Sequence, residues 1–190
     1  GLNRFDGLNF FTYRHVLDDA ASLTSDYVRT IFEDSRHNLL IGCINGLMRY
    51  DRETDTFCTI PMIRAGKKVT PHVTHFQEVN QGEIWLSTSG QGLFRLDDRL
   101  TKAVSVDSMF QQVNYTYQSK FCIDSRSDIW IGTDGNGLAR YVSGTKTLQY
   151  FKYPTFGDNN VTSILEDRSG NIFVGTQKQG VSRYDEVKGQ

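Results

Sequence analysis

Asp128-Ile129-Trp130-Ile131-Gly132-Thr133-Asp134-Gly135-Asn136-Gly137-Leu138-Ala139-Arg140-Tyr141 sets an apolar run, a polar glycine-rich turn and a second apolar run in succession. Residues that favour strands on either side of Asp, Asn and Gly read as an antiparallel hairpin. The second half recurs as Gly46-Leu47-Met48-Arg49-Tyr50, Gly92-Leu93-Phe94-Arg95-Leu96 and Gly180-Val181-Ser182-Arg183-Tyr184, and the chain opens on Gly1-Leu2-Asn3-Arg4-Phe5. Successive glycines stand 45, 46, 45 and 43 residues apart. Repetition at such a period decides the architecture before any single motif does.

The first half recurs too, as Leu39-Leu40-Ile41-Gly42, Ile84-Trp85-Leu86-Ser87 and Ile172-Phe173-Val174-Gly175. Further upstream, Val28-Arg29-Thr30-Ile31-Phe32-Glu33-Asp34 matches Val161-Thr162-Ser163-Ile164-Leu165-Glu166-Asp167. One unit therefore reads as four short strands, A over 28–33, B over 39–43, C over 46–51 and D over 56–60. Turn formers separate them, as in Asp34-Ser35-Arg36-His37-Asn38. No segment sustains helical periodicity. Four strands per repeat is the signature of a β-propeller blade, and a strand B that is apolar almost throughout suits a strand covered on both faces. The expected fold is all-β, a β-propeller fragment of about four four-stranded blades. Its units fall at 1–13 (strands C and D), 27–60, 72–106, 116–153 and 160–185 (strands A to C). We expect an arc of a larger ring, whose bare end faces favour self-association.

Composition narrows the partners. Across 190 residues, 21 Lys+Arg meet 22 Asp+Glu for a net charge of -1. That removes the long-range attraction that draws proteins to nucleic acid or anionic lipid, so no nucleic-acid contact is expected. No apolar run approaches the roughly 20 residues that cross a bilayer as a helix. The start lacks Met and falls inside a repeat, which reads as a piece cut from a longer protein. Cys43, Cys58 and Cys122 form an odd set without C-x-x-C, expected as buried free thiols.

The repeated columns read first as structure. Arg4, Arg49, Arg95, Arg140 and Arg183 complete one column, and Asp34, Asp124 and Asp167 form another that fails at Val79. Pairing between the two would satisfy both when partly buried. Trp85 and Trp130 interchange with Leu40 and Phe173, as packing residues do. Asp124-Ser125-Arg126-Ser127-Asp128 and Asp167-Arg168-Ser169-Gly170-Asn171 resemble the start of a calcium loop. Gly135 and Lys178 stand where the bidentate Glu belongs, so both read as hairpin turns. His72 and His75 lack a convincing third metal ligand. Asn114-Tyr115-Thr116 and Asn160-Val161-Thr162 match the glycosylation acceptor pattern. Neither a cofactor, a metal nor a catalytic residue is expected.

The B–C turns carry the candidate site. Asn45, Gln91, Asn136 and Gln179 each precede the repeated glycine, and Asp134 and Lys178 add charge beside them. Asn45-Gly46 and Asn136-Gly137 suit type I′ turns, a preference Gln does not share. In a four-strand meander these turns share a face with the D–A connections 14–26, 61–72, 107–114 and 154–160, which read as longer and irregular. Variable loops on a regular scaffold usually carry binding. Amides both donate and accept hydrogen bonds, as sugar hydroxyls require.

The pattern from Asp128 to Tyr141, with Ser22-Leu23-Thr24-Ser25-Asp26-Tyr27-Val28 leading to Glu33-Asp34, resembles the two-component regulator propeller repeat over essentially the whole chain. Cys43 for Thr, Leu96 for an aromatic and Val79 for an acid are its departures. The resemblance implies a ligand-sensing extracytoplasmic, periplasmic propeller of a hybrid sensor histidine kinase in bacteria that use complex glycans. It implies a glycan ligand and neighbouring propeller and β-sandwich domains. The parent would be the kinase, and this fragment no enzyme. Two alternatives stand beside it: a protein-interaction propeller, and a propeller enzyme resembling streptogramin lyases, for which His72, His75 and Glu78 are the available set.

Overall fold

The computed structural model describes residues 1–79, 82–106, 120–152 and 158–186. Their regular elements are all β-strands, and they divide into two compact units, residues 1–88 with 93–107 and residues 89–92 with 108–190. The N-terminal unit opens with the hairpin β1 (Leu2–Phe5) and β2 (Phe10–Tyr13). A four-stranded antiparallel blade follows, β3 (Val28–Glu33), β4 (Leu39–Cys43), β5 (Gly46–Asp51) and β6 (Thr56–Ile60). Those bounds are the ones its turn residues predict. The next blade contains β9 (Val73–Val79), β10 (Glu83–Thr88), β11 (Gly92–Leu96) and β12 (Ala103–Ser105). In the C-terminal unit, β13 (Lys120–Ile123), β14 (Ile129–Gly132), β15 (Leu138–Val142) and β16 (Thr147–Phe151) make one blade. A three-stranded sheet completes it, β17 (Val161–Glu166), β18 (Ile172–Thr176) and β19 (Val181–Arg183). The fold is all-β and built of β-propeller blades.

One connection departs from the irregular loop expected over 61–72. It folds into the hairpin β7 (Met62–Arg64) and β8 (Lys67–Val69), and β7 pairs in parallel with β12 through Ala103↔Met62 and Val104↔Ile63. The tight turn rests on Ala65 (φ 48°) and Gly66 (φ 75°), both left-handed. Ala rarely takes that conformation, so the sequence carries no Asn-Gly signal for it. The 107–114 connection, the Asn114-Tyr115-Thr116 pattern, the opening of the 116–153 unit and residues 153–157 lie outside the described residues.

Strand B is covered on both faces. Leu40 packs among Val73, Phe76, Leu86 and Phe94, whereas its neighbour Ile41 packs among Leu23, Met48, Tyr50 and Phe57. Each buried Leu or Ile contributes about 1.5–3 kcal/mol. Blade spacing is set at a glycine near the end of strand B. A Cβ on Gly42 would stand 2.7 Å from Val73 Cγ1, and one on Gly132 would press closer still on Val161. Only glycine admits this approach.

Two polar ties join neighbouring blades in the same way in both units. The Ser35 N–H and hydroxyl donate to the two oxygens of Glu78 at 2.8 and 2.5 Å, and the Ser125 N–H and hydroxyl to Glu166 at 2.8 and 2.6 Å. The second tie runs along the Arg column. Arg4 Nη1 donates to Tyr50 Oη at 2.8 Å, and Arg140 Nη1 to Tyr184 Oη at 3.1 Å. Each arginine thus reaches the tyrosine of the next repeat. Leu96 removes that acceptor for Arg49.

The Asp column does not pair with the Arg column as expected; it caps the A–B turns. Asp34 Oδ1 accepts from the Arg36 and Asn38 N–H groups, Asp124 Oδ1 from those of Arg126 and Asp128, and Asp167 Oδ1 from those of Ser169 and Asn171. The reason is local: a carboxylate at the turn's first position meets backbone donors two and four residues on, well before a distant guanidinium. Where an arginine of the column does find a carboxylate within its own blade, that acid stands at the entry to strand B. Arg140 Nε and Nη2 both reach Asp128 Oδ2, at 2.9 and 2.6 Å, and Arg95 reaches Glu83 at 3.2 Å. The position holds Asn38 and Asn171 elsewhere, and their amides donate to Asp34 and Asp167 instead.

This exchange accounts for the tryptophans. In the blades with an acid at the entry to strand B, that strand carries Trp85 or Trp130, whose indole N–H takes up a carboxylate, Glu83 at 3.0 Å and Asp124 at 2.8 Å. Trp130 is fully buried and Trp85 nearly so, which makes both core residues. Cys58 corrects the thiol reading. It is exposed on β6, the last strand of its sheet, while Cys43 and Cys122 are buried.

Candidate functional site

Asn45 and Asn136 do not form type I′ turns. Neither has a left-handed backbone; only the following glycines do, Gly46 at φ 133° and Gly137 at φ 77°. In the N-terminal unit Gly46 already pairs with Cys43, so the loop between β4 and β5 is Ile44-Asn45 alone. Asn45 reaches across it, its Nδ2 donating to the Thr24 carbonyl at 2.9 Å. The loop between β14 and β15 runs over 133–137, three residues longer, and threonine organises it. Thr133 Oγ1 donates to the Gly137 carbonyl at 2.9 Å and accepts the Asn136 N–H at 3.1 Å. Thr176 does the same between β18 and β19, towards the Gly180 carbonyl at 3.2 Å and the Gln179 N–H at 3.2 Å. Cys43 stands at the corresponding position of the shorter loop and cannot clamp it this way.

Sequence reading places B–C turns beside D–A connections, and the contacts bear this out within each unit. Asn159 accepts the Gly135 and Gly137 N–H groups at 3.1 and 2.8 Å, Asp134 pairs with Asn160, and the Lys178 N–H donates to Asp158 Oδ2 at 2.9 Å. Asp134 and Lys178 are exposed here, Asn136 is half-buried and Gln179 exposed. Gln91, in the loop after β10, is half-buried. A cavity of about 150 Å³ lies between Lys120, Asp134, Asn160 and Gln177.

The N-terminal unit has a roomier opening of about 490 Å³ between the 15–24 connection, Asn45, Thr59 and Thr70. Its wall is tied by its own bonds. Ser22 Oγ donates to the Asp19 carbonyl at 2.9 Å and accepts the Val16 N–H at 2.9 Å, Asp19 Oδ1 accepts the Ala21 N–H at 2.9 Å, and His15 Nδ1 donates to the Leu23 carbonyl at 2.7 Å. Leu23, fully buried, plugs the wall into the core.

Of the enzyme candidates, Glu78 is engaged by Ser35, and burial lowers the pKa of His72. Among the described residues no group of three or more His, Cys, Asp or Glu is arranged to hold a metal ion. Sequence reasoning passed over the Ser–Glu tie, because its partners lie 43 and 41 residues apart and neither serine nor glutamate marks a fold by type.

No curated protein sequence matches the chain. Among solved structures, one assigned as the extracellular domain of the hybrid two component system BT3049 from B. thetaiotaomicron is similar over 100% of this chain and 26% of its own, at 24% identity and TM-score 0.84. The extracellular domain of BT4673 from the same organism matches 96% of this chain and 26% of its own, at 22% identity and TM-score 0.73. An auxiliary nutrient binding protein from Bacteroides ovatus follows at 12% identity and TM-score 0.60, over 95% of this chain and 47% of its own. The chain thus spans about a quarter of the two sensor domains, and likeness at this level of identity shows the shared propeller fold. Residues 155–178 match the family model of the two component regulator propeller, which bears out the resemblance read from the repeat.

Proposed function

We propose that this chain forms part of the extracytoplasmic ligand-sensing region of a hybrid two-component sensor, and that it recognises a glycan through its B–C turns and D–A connections. The observation that carries the reading is the division of labour in those turns. Threonine hydroxyls and backbone groups make the loops that hold Asn136 and Gln179, so the turn makes no demand on either carboxamide. Amides spared from structural duty on a face of loops are suited to a polyhydroxylated ligand. The likeness to extracellular domains of hybrid two component systems supports the sensor part of the reading.

A second reading is favoured by the bare terminal sheets. Leu8 (88%), Phe10 (74%), Leu165 (62%) and Val181 (71%) are strongly exposed, which suits contact with neighbouring domains or another copy. Probing the 190-residue chain on a glycan array separates the two. Glycan binding that Gln91→Ala/Gln179→Ala weakens without changing the melting temperature supports the proposal. Absence of glycan binding, with concentration-dependent self-association, favours the protein-contact reading.

A further inference from the structure

We propose that the cavity between the 15–24 connection and the first B–C turn is a subsite for an uncharged sugar unit, and that it rejects uronates and sulfated sugars. This rests on the glycan reading above and adds a place and a charge class to it. The argument begins with what the wall lacks. Asp18 and Asp19 line the opening, and no lysine or arginine does. An anionic sugar entering here sheds water beside carboxylates, and the one basic side chain in the lining, His15, has its Nδ1 given to the Leu23 carbonyl. A neutral sugar meets the reverse situation, because its hydroxyls donate to carboxylate oxygens.

The supply of polar groups fits such a guest. Asp19 Oδ1 is committed to the Ala21 N–H, which leaves its Oδ2 and the carboxylate of Asp18 as acceptors the loop does not use. Asp18 sits at φ 63°, held there by the bonds that close the Val16–Ser22 turn. Asn45 spends its amide N–H on Thr24 and keeps its carbonyl oxygen as an acceptor. Thr59 and Thr70 add exposed hydroxyls that both donate and accept. Val16 and Ala20, both exposed, supply apolar surface of the kind a sugar's C–H face covers. A volume of about 490 Å³ is ample for a monosaccharide unit. Because the wall is fastened by its own hydrogen bonds and by Leu23, little ordering remains to be done on binding.

Asp18→Asn and Thr59→Val test the site without attacking the fold, since Asn tolerates the left-handed backbone and Val suits an exposed strand position. Thr147→Val, exposed on β16 of the other unit, is the control. The 190-residue chain and its variants are titrated with neutral oligosaccharides and with their uronate-containing and sulfated counterparts. We expect binding of neutral glycans only, weakened at least about tenfold by Asp18→Asn and by Thr59→Val, and unaltered by Thr147→Val. Neutral-glycan binding that neither variant changes overturns this subsite while leaving the glycan reading intact. Preferential binding of the acidic sugars overturns the charge class. Failure to bind any sugar removes both.

Discussion

Replacing Trp130 separates two contributions that its position combines. The indole is fully buried in the C-terminal unit, stacked on Phe151 at 6.1 Å between ring centroids, edge-on to Tyr184 at 4.9 Å and under the Arg140 guanidinium at 4.9 Å. Its N–H donates to Asp124 Oδ2, and Asp124 is itself only 4% exposed. Trp130→Ala removes all of this and should cost about 3–5 kcal/mol, the range for deleting a large buried aromatic. Trp130→Phe keeps most of the ring contacts and loses the hydrogen bond, leaving the buried Asp124 Oδ2 with only the Arg126 guanidinium 3.8 Å away; that should cost about 1–3 kcal/mol. For a folding unit under about 100 residues, each kcal/mol lowers the melting temperature by about 4–8 °C. Scanning calorimetry and urea unfolding of both variants give the two values. An unchanged midpoint for Trp130→Ala would mean that the indole is exposed in solution and is available for stacking on a sugar. Equal losses for the two variants would mean that the hydrogen bond, and not packing, carries the residue.

Ser125→Ala and Glu166→Ala, combined in a double-mutant cycle, should show a coupling of about 0.5–1.5 kcal/mol, and Ser35 with Glu78 a similar one; additive effects would reduce the tie to a passing contact. Cys58 alone should react promptly with a thiol reagent at mildly alkaline pH, because burial pushes the Cys122 thiol up to about 11 and raises that of Cys43 as well. Three equally fast thiols would contradict the burial pattern. The Asn171 side chain and backbone donors hold Asp167 below its ordinary range, as the Asn9 and Leu8 N–H groups do for Asp6 and those of Glu53 and Thr54 for Asp51. Carboxylates with depressed native values stabilise the fold above the ordinary Asp value near pH 4, and that stability is lost as pH falls through the depressed values. Melting temperatures that rise on acidification would reverse this sign.

The sequence made some levels of this structure readable and concealed others for physical reasons. Strands β3 to β6 were readable because Asp-Ser-Arg-His-Asn and Asp-Arg-Glu-Thr-Asp stop them at both ends, and turn chemistry is local. The structural role of the arginines was readable from their repetition, but their partners were not. Tyr184 lies 44 residues beyond Arg140, and nothing in the composition distinguishes that tyrosine from any other. The capping role of Asp34 was concealed by the more familiar expectation that a repeated acid pairs with a repeated base. Of the candidate site, the meeting of B–C turns with D–A connections followed from strand order alone. The cavity beside Asn45 did not, because it depends on how residues 15–24 fold back on themselves and on where Leu23 anchors them.

The hairpin in the 61–72 connection has a consequence for unwanted assembly. The outermost strand of a blade exposes unpaired backbone groups, which is where foreign strands add and aggregates begin. β7 occupies that rim along β12 and hands the exposed position to β8, a three-residue strand whose first two residues are Lys67 and Lys68. A short strand carrying two cations is a poor template for a further strand. In the C-terminal unit β16 ends its sheet, no described residue pairs with its far side, and it presents Tyr150 at 42% exposure. Strand addition to this protein, whether by a partner peptide or by a misassembled copy, therefore falls to outer strands such as β16 and β6, and the blade bearing the lysine-edged hairpin is shielded from it.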